Sequence, residues 1–180
     1  MKHIMLDLET LGTRSNSVIA VIAAVYFDPE TGETGKEFYR RINIQSCLDY
    51  GLEIDLKTLK WWFQQSFRAQ KEVFNQEDRI HIQPALRELY YFIKTTDDAI
   101  LWGNSARFDL GILENAYYKV ENGVPWKHWN ERDVRTLSSF APEIKENTIR
   151  EGTHHNALDD CYHQIKYCSA IYQKIINPKS

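Results

Sequence analysis

The stretch VIAVIAAVYF, Val18 to Phe27, constrains this chain more than any other. It is β-branched and apolar along its length, with no polar alternation, so as a strand it must be covered on both faces. It is about half as long as a membrane-crossing helix must be. Behind it, DPETGETG gathers Asp, Pro, Thr and Gly into a turn signal, and KEFYRRIN follows as the return strand of a hairpin. Ahead of it, HIMLDL reads as another short buried strand, apolar on both faces and so expected near the middle of a sheet.

Beyond the hairpin the spacing becomes helical. DLKTLKWWFQQ begins with Asp55 and carries apolar side chains at Leu56, Leu59 and Phe63. Ile82, Leu86, Leu89, Tyr90 and Ile93 recur one helical turn apart, and Leu110, Leu113, Tyr117 and Val120 form another stripe. The last long segment carries Leu158, Cys161, Ile165, Cys168 and Tyr172 on one face. AILWGN reads as a buried strand between these helices, and RDVRTL as a short strand running into a helix. This order predicts an α/β fold, a mixed five-stranded sheet with helices on both faces. A length of 180 residues suits one domain, residues 1–180, and no repeat, low-complexity tract or linker divides it.

A formal net charge of −3 offers no global positive field. That counts against a passive nucleic-acid binder or a module for anionic membranes, but little against an enzyme whose acids are neutralised by bound metal. The three cysteines show no paired spacing, and the start MKHIMLDLE has too short an apolar run for a secretory signal. A reducing cytoplasm, with no membrane partner, is the expected setting.

Side chains two apart on a strand point to the same side, so Asp7 and Glu9 aim together at the end of HIMLDLE. Such a pair repels unless a shared proton, a basic side chain or a divalent cation lies between the carboxylates. Mg²⁺ favours oxygen ligands of this kind, completed by water and substrate phosphate. For D-x-E alone, a turn cap or a surface ion pair would serve equally. WGNSARFDLGIL puts Asp109 where a strand passes into a helix, a position that a helix-start carboxylate would also fill. THHNALDDCYHQI sets His154 and His155 ahead of an apolar helix that opens with Asp159 and Asp160. Neighbouring helix positions lie about 100° apart, so only one of these two acids can face a given point. The other is expected to be solvated or paired with Lys or Arg.

Together, D-x-E (Asp7, Glu9), N-x-x-x-F-D (Asn104, Phe108, Asp109) and H-x-A-L-x-D (His155, Ala157, Asp160) resemble the motifs of the DEDDh 3′→5′ exonucleases, which have a ribonuclease H-like fold. His155 fits the last motif better than His154, because Ala157 stands two residues after it, whereas His154 has Asn156 there. LKWWFQQSFRAQ and WNERDVRTL further resemble segments of the branch that holds phage exonuclease A and the RNase AS proteins. The matching stretches span nearly the whole chain.

The resemblance implies a phosphodiester hydrolase in which Asp7, Glu9, Asp109 and Asp160 hold two ions, Mg²⁺ or Mn²⁺, and His155 is the general base. It further implies that Thr10 presents a backbone N–H to the 3′ end, that Leu11 wedges against a base, and that Asn104 and Phe108 line the same pocket. Leu11 and Phe108 would serve equally as core residues. Asp133 falls where the branch carries a similar acid, and a supporting role is expected for it. Trp61 and Trp62 could stack on bases, but adjacent helix positions cannot both face one groove, so core packing is expected of at least one. Arg40, Arg41, Lys57, Lys60, Arg132 and Arg135 are candidates for phosphate contacts, though any surface carries such residues.

The expected substrate is single-stranded nucleic acid, released as nucleoside 5′-monophosphates. DNA is favoured, because WNERDVRT and the tryptophan pair look closer to the phage enzyme; a 3′→5′ exoribonuclease of the RNase AS or oligoribonuclease type is the alternative. A non-catalytic nucleic-acid-binding adaptor and a phosphorelay receiver domain are rivals from other classes. Family members are often dimers, which leaves a homodimer open.

Overall fold

The computed structural model describes residues 1–121 and 123–176. Its strands are β1 (His3–Thr10), β2 (Ile19–Phe27), β3 (Thr34–Ile42), β4 (Arg79–Ile80), β5 (Ile100–Gly103) and β6 (Glu131–Asp133). They form one mixed sheet in the order β4-β3-β2-β1-β5-β6. β1, β2 and β3 are antiparallel neighbours, while β5 runs parallel to β1 and β6 parallel to β5. The sheet has six strands where five were expected. The extra one, β4, pairs with β3 through only Arg41–Arg79 and Ile42–Ile80, too short a run to show alternation in the sequence.

The helices are α1 (Ile44–Asp49), α2 (Leu56–Trp62), α3 (Phe67–Phe74), α4 (Ile82–Ile93), α5 (Ala106–Val120), α6 (Val134–Ser138), α7 (Pro142–Asn147) and α8 (Ala157–Ile176). Every residue of β2 is buried, so helices must cover the sheet on both faces. On one face α8 lies across β1 and β2. Its Cys161 thiol reaches the carbonyls of Met5 at 3.7 Å and Ala23 at 3.8 Å. On the other face, the Tyr26 hydroxyl donates to the Phe92 carbonyl at 2.9 Å, and Tyr117 on α5 donates to Leu86 on α4 at 2.8 Å. The expected stripes of α4 and α5 are buried, apart from Tyr90, which is partly exposed. All three cysteines are free and buried.

Helix α2 is turned relative to its expected stripe. Leu56 and Phe63 point outward, 70% and 63% exposed, and Trp62 is the buried residue. The Trp62 indole N–H donates to the Thr10 carbonyl at 2.8 Å, which pins α2 to the end of β1. Asp55 caps the helix by accepting the Lys57 N–H at 2.7 Å. No helix among the described residues is long and apolar enough to cross a membrane.

Candidate active site

β1, the start of α5 and the start of α8 meet at one end of the sheet. Asp7 and Glu9 occupy alternate positions of β1 and are both buried, just before the register shift between Glu9 and Thr10. β5 lies parallel to β1 and feeds directly into α5, whose first turn delivers Asp109. Asp109 Oδ1 accepts the Leu8 N–H at 3.3 Å and Oδ2 accepts the Ser105 N–H at 3.4 Å. Gly103 permits this approach, since a Cβ there would stand 3.1 Å from Asp109 Oδ2. Asp160 comes from the first turn of α8. These four acids line one cleft of about 870 Å³, together with Thr10, Asn104, Phe108 and His155. Leu11, in contrast, is 1% exposed and belongs to the core beneath, where packing accounts for it.

The segment before α8 sets the last acid and the histidine. Gly152 takes φ +80°, and a Cβ on it would fall 2.4 Å from the Asp159 carboxylate carbon. Asp159 accepts the Thr153 N–H at 2.6 Å. The acid facing away from the site was expected to be solvated or paired with Lys or Arg; Asp159 is instead half-buried, has no basic partner among the described residues, and braces this loop. Asp160 is the acid that carries a basic partner, since Arg150 Nη1 donates to its Oδ1. His155 adopts φ +63°, and its backbone N–H donates to Asp160 Oδ2 at 3.1 Å. Its ring packs edge-on against Trp61 and Trp62, with centroids 4.9 and 5.8 Å away. Both tryptophans therefore reach the same cleft, although they are adjacent in α2: Trp62 from the core, 1% exposed, and Trp61 from the rim, 40% exposed.

Burial and mutual repulsion dominate the electrostatics. Burial drives the Asp7 carboxyl well above its usual range, and Asp109, Glu9 and Asp160 push it further, against a stabilising hydrogen bond from Gln164. Glu9 is raised in the same way, by burial first and then by Asp160, Glu72 and Asp109. Burial also raises Asp109 to about 7, despite hydrogen bonds from the backbone of Ser105, Leu8 and Asn104 and the nearby charge of Arg135. Burial, with His154 next and Arg150 contributing, lowers the His155 pKa, while Asp160 opposes them.

This donor set suits divalent cations. Glu9 Oε1 is buried without a hydrogen-bond partner, as are Asn104 Oδ1 and Gln164 Oε1 at the same cleft. Ligand atoms of Glu9, His155 and Asp160 all lie within 4.8 Å of one another. Hard oxygen donors in such number favour hard divalent cations over softer metals.

Of the basic residues considered for phosphate contacts, Lys57 and Arg135 line the cleft. Arg40 pairs with Glu88 and Arg41 with Glu72, while Arg132 donates to the carbonyls of Trp129 and Glu131. Asp133 accepts the Ala106 N–H at 2.8 Å and caps α6 through the Thr136 N–H at 2.7 Å, so it ties β6 to the start of α5. Gln164, Arg150 and Lys145 line the cleft without having been singled out from sequence. Gln164 donates to Asp7 Oδ1 at 2.7 Å. Its position one helical turn after Asp160 was a signal for it; nothing comparable marked Arg150 or Lys145.

Residues 2–172 match the family described as the 3'-5' exoribonuclease Rv2179c-like domain. The chain belongs to that family. This exonuclease domain is also similar to the exodeoxyribonuclease of Enterobacteria phage T4, at 26% identity over 196 aligned residues, 92% of this chain and 86% of that protein. Among solved structures, E. coli exonuclease I in complex with a dT13 oligonucleotide superposes with a TM-score of 0.71 at 18% identity, over 98% of this chain and 42% of that one. A 3'-exonuclease that recognises a histone mRNA stem-loop gives 0.64 at 10% identity, over 96% of this chain and 81% of that one. At such identities the likeness shows the fold alone, the expected ribonuclease H-like arrangement. This chain spans about two fifths of the length of exonuclease I. Family membership makes it a 3′→5′ exonuclease domain, a phosphodiester hydrolase.

Proposed function

We propose that this domain removes nucleoside 5′-monophosphates from the 3′ end of single-stranded nucleic acid, using two divalent ions, Mg²⁺ or Mn²⁺, held by Asp7, Glu9, Asp109 and Asp160. Single-stranded DNA is the favoured substrate. The observation that carries this reading is the meeting of four buried carboxylates and a half-buried imidazole in one cleft, with Glu9 Oε1 left without a partner. The ions, when bound, supply positive charge that makes water nucleophilic at neutral pH and stabilises the phosphodiester oxygens.

The chain's own residues do the rest. Gln164 fixes the orientation of Asp7 through its amide N–H. The backbone N–H of His155 holds this residue against Asp160. Because its pKa is lowered, the imidazole is neutral near pH 7 and can take the proton of the attacking water. Trp61 and Phe108 offer aromatic faces to the terminal bases, which accept stacking irrespective of sequence. Lys57, Arg135 and Lys145 offer charge to the phosphates around them.

The likeness to the phage exodeoxyribonuclease over most of both chains favours DNA. An exoribonuclease is the second reading, favoured by the description of the family; it would require a contact to the 2′-hydroxyl. Matched DNA and RNA oligonucleotides labelled at the 5′ end, incubated with Mg²⁺, Mn²⁺ or EDTA, test both. The expected result is a metal-dependent ladder shrinking from the 3′ end, faster on DNA. Faster RNA decay would transfer the assignment to the second reading. Retention without shortening in every condition would leave only a binding adaptor.

A further inference from the structure

Among the described residues, Arg150 is the only basic side chain ion-paired with any of the four acids. Its Nη1 donates to Asp160 Oδ1, while the His155 N–H occupies Oδ2, so both oxygens of this carboxylate are engaged. A guanidinium has five N–H donors, and Nη1 is the only one of Arg150 with a side-chain partner among the described residues. The side chain is 28% exposed and lines the cleft. It hangs from residues 148–156, a stretch with neither helix nor strand, so its reach is not set by a rigid element.

A guanidinium and a divalent ion cannot both sit against the same carboxylate without strong repulsion between them. If Asp160 is to join Asp7, Glu9 and Asp109 around an ion, Arg150 must leave it. The other acid lining the cleft, Asp55, is already committed to the cap of α2. A phosphate of the substrate entering the cleft would then be matched in pairs by the planar donors of the freed fork.

We propose that Arg150 is a charge placeholder: it neutralises Asp160 while the cluster lacks a divalent ion, yields the carboxylate when the ion enters, and turns to a phosphate of the bound strand. The proposal rests on the metal-dependent reading above and assigns Arg150 to phosphate binding within it.

Calorimetric titration with Mn²⁺ alone tests the first step. Arg150→Gln should bind Mn²⁺ about tenfold more tightly than the wild-type chain, because a competing ion pair is gone. Lys145→Gln removes the same charge from the same cleft without freeing a carboxylate, and should change Mn²⁺ affinity by no more than about twofold. Fluorescence anisotropy with a labelled single strand tests the second step, read within the first minutes in a His155→Ala background that slows cleavage. Adding Arg150→Gln there, at saturating Mn²⁺, should weaken strand binding about tenfold.

Unchanged or weaker Mn²⁺ affinity in Arg150→Gln overturns the proposal, and so does an equal gain in Lys145→Gln or an unchanged strand affinity. Should Arg150→Gln fail to fold by circular dichroism, Arg150→Lys carries the test. It keeps the charge but loses the fork, so a severalfold gain in Mn²⁺ affinity is expected, and no gain overturns the proposal. A wild-type chain that takes up no Mn²⁺ overturns both readings. One that takes up Mn²⁺ and degrades strands, while the Arg150 variants show no gain, overturns this one alone.

Discussion

At the scale of single residues, His155 is held from three sides: by its backbone N–H on Asp160, by two indole edges, and by a left-handed backbone conformation. None of these contacts uses its capacity to accept a proton. His155→Ala should therefore lower kcat by about 10²- to 10⁴-fold, the usual contribution of a positioned base, while Mn²⁺ titration and thermal melting stay close to wild type. A matching collapse of Mn²⁺ affinity would instead make the imidazole a ligand, beside Glu9 and Asp160. The motif prefers His155 to His154 because of Ala157, and His155 is the histidine with a ligand atom within 4.8 Å of those of Glu9 and Asp160. Gln164 was legible in principle from helical spacing. Arg150 was not, because its contact with Asp160 depends on how the loop between them turns, and no periodicity reports that.

At the scale of elements, the site depends on two attachments. α2 is moored to β1 by the Trp62 indole N–H on the Thr10 carbonyl. Trp62→Phe keeps most of the buried surface but orphans that carbonyl, so urea unfolding should show a loss of about 1–3 kcal/mol. The loop before α8 is braced by Asp159 and turns at Gly152. A side chain at Gly152 meets both a left-handed backbone and the Asp159 carboxylate. Gly152→Ala should cost about 1–3 kcal/mol of stability, and steady-state assays should show a larger fall in kcat than in strand affinity, since the loop carries His155. Normal stability in Gly152→Ala would mean that the loop relaxes freely and that Asp159 does not brace it. The same elements show where sequence reading succeeds. Long stripes such as those of α4, α5 and α8 were legible because burial repeats along them. In seven-residue α2, burial of the Trp62 indole, completed by its hydrogen bond to Thr10, decides which face turns inward, and Leu56 and the C-cap Phe63 are left outward. Two-residue β4 is recruited by its neighbour β3, with nothing of its own to announce it.

At the scale of the whole molecule, the acidic cluster couples folding to pH. Asp109 is raised to about 7, and Asp7 and Glu9 shift in the same direction. The folded chain therefore keeps protons that the unfolded chain has already released above the ordinary carboxylate range. The stability these groups contribute is complete below their unfolded pKa and is lost as pH rises through the folded one. In EDTA, Tm should thus fall as pH climbs from about 6.5 to about 8, above the range in which His3, His155 and His163, whose pKa values burial lowers, act in the opposite direction. The gain in Tm from saturating Mn²⁺ should be larger at the upper end, where the ion meets fully charged acids. Scanning calorimetry at both pH values checks this, and a metal-free Tm that rises with pH would contradict it. The buried cysteines bear on how such experiments can be run. Burial pushes the thiols of Cys47 and Cys168 up to about 12 and that of Cys161 upward as well. None can supply thiolate to a maleimide in the folded state. A single cysteine introduced on the exposed rim of the cleft would then be the one position to take a dye, and the native sequence needs no prior cleansing before strand threading is followed by fluorescence.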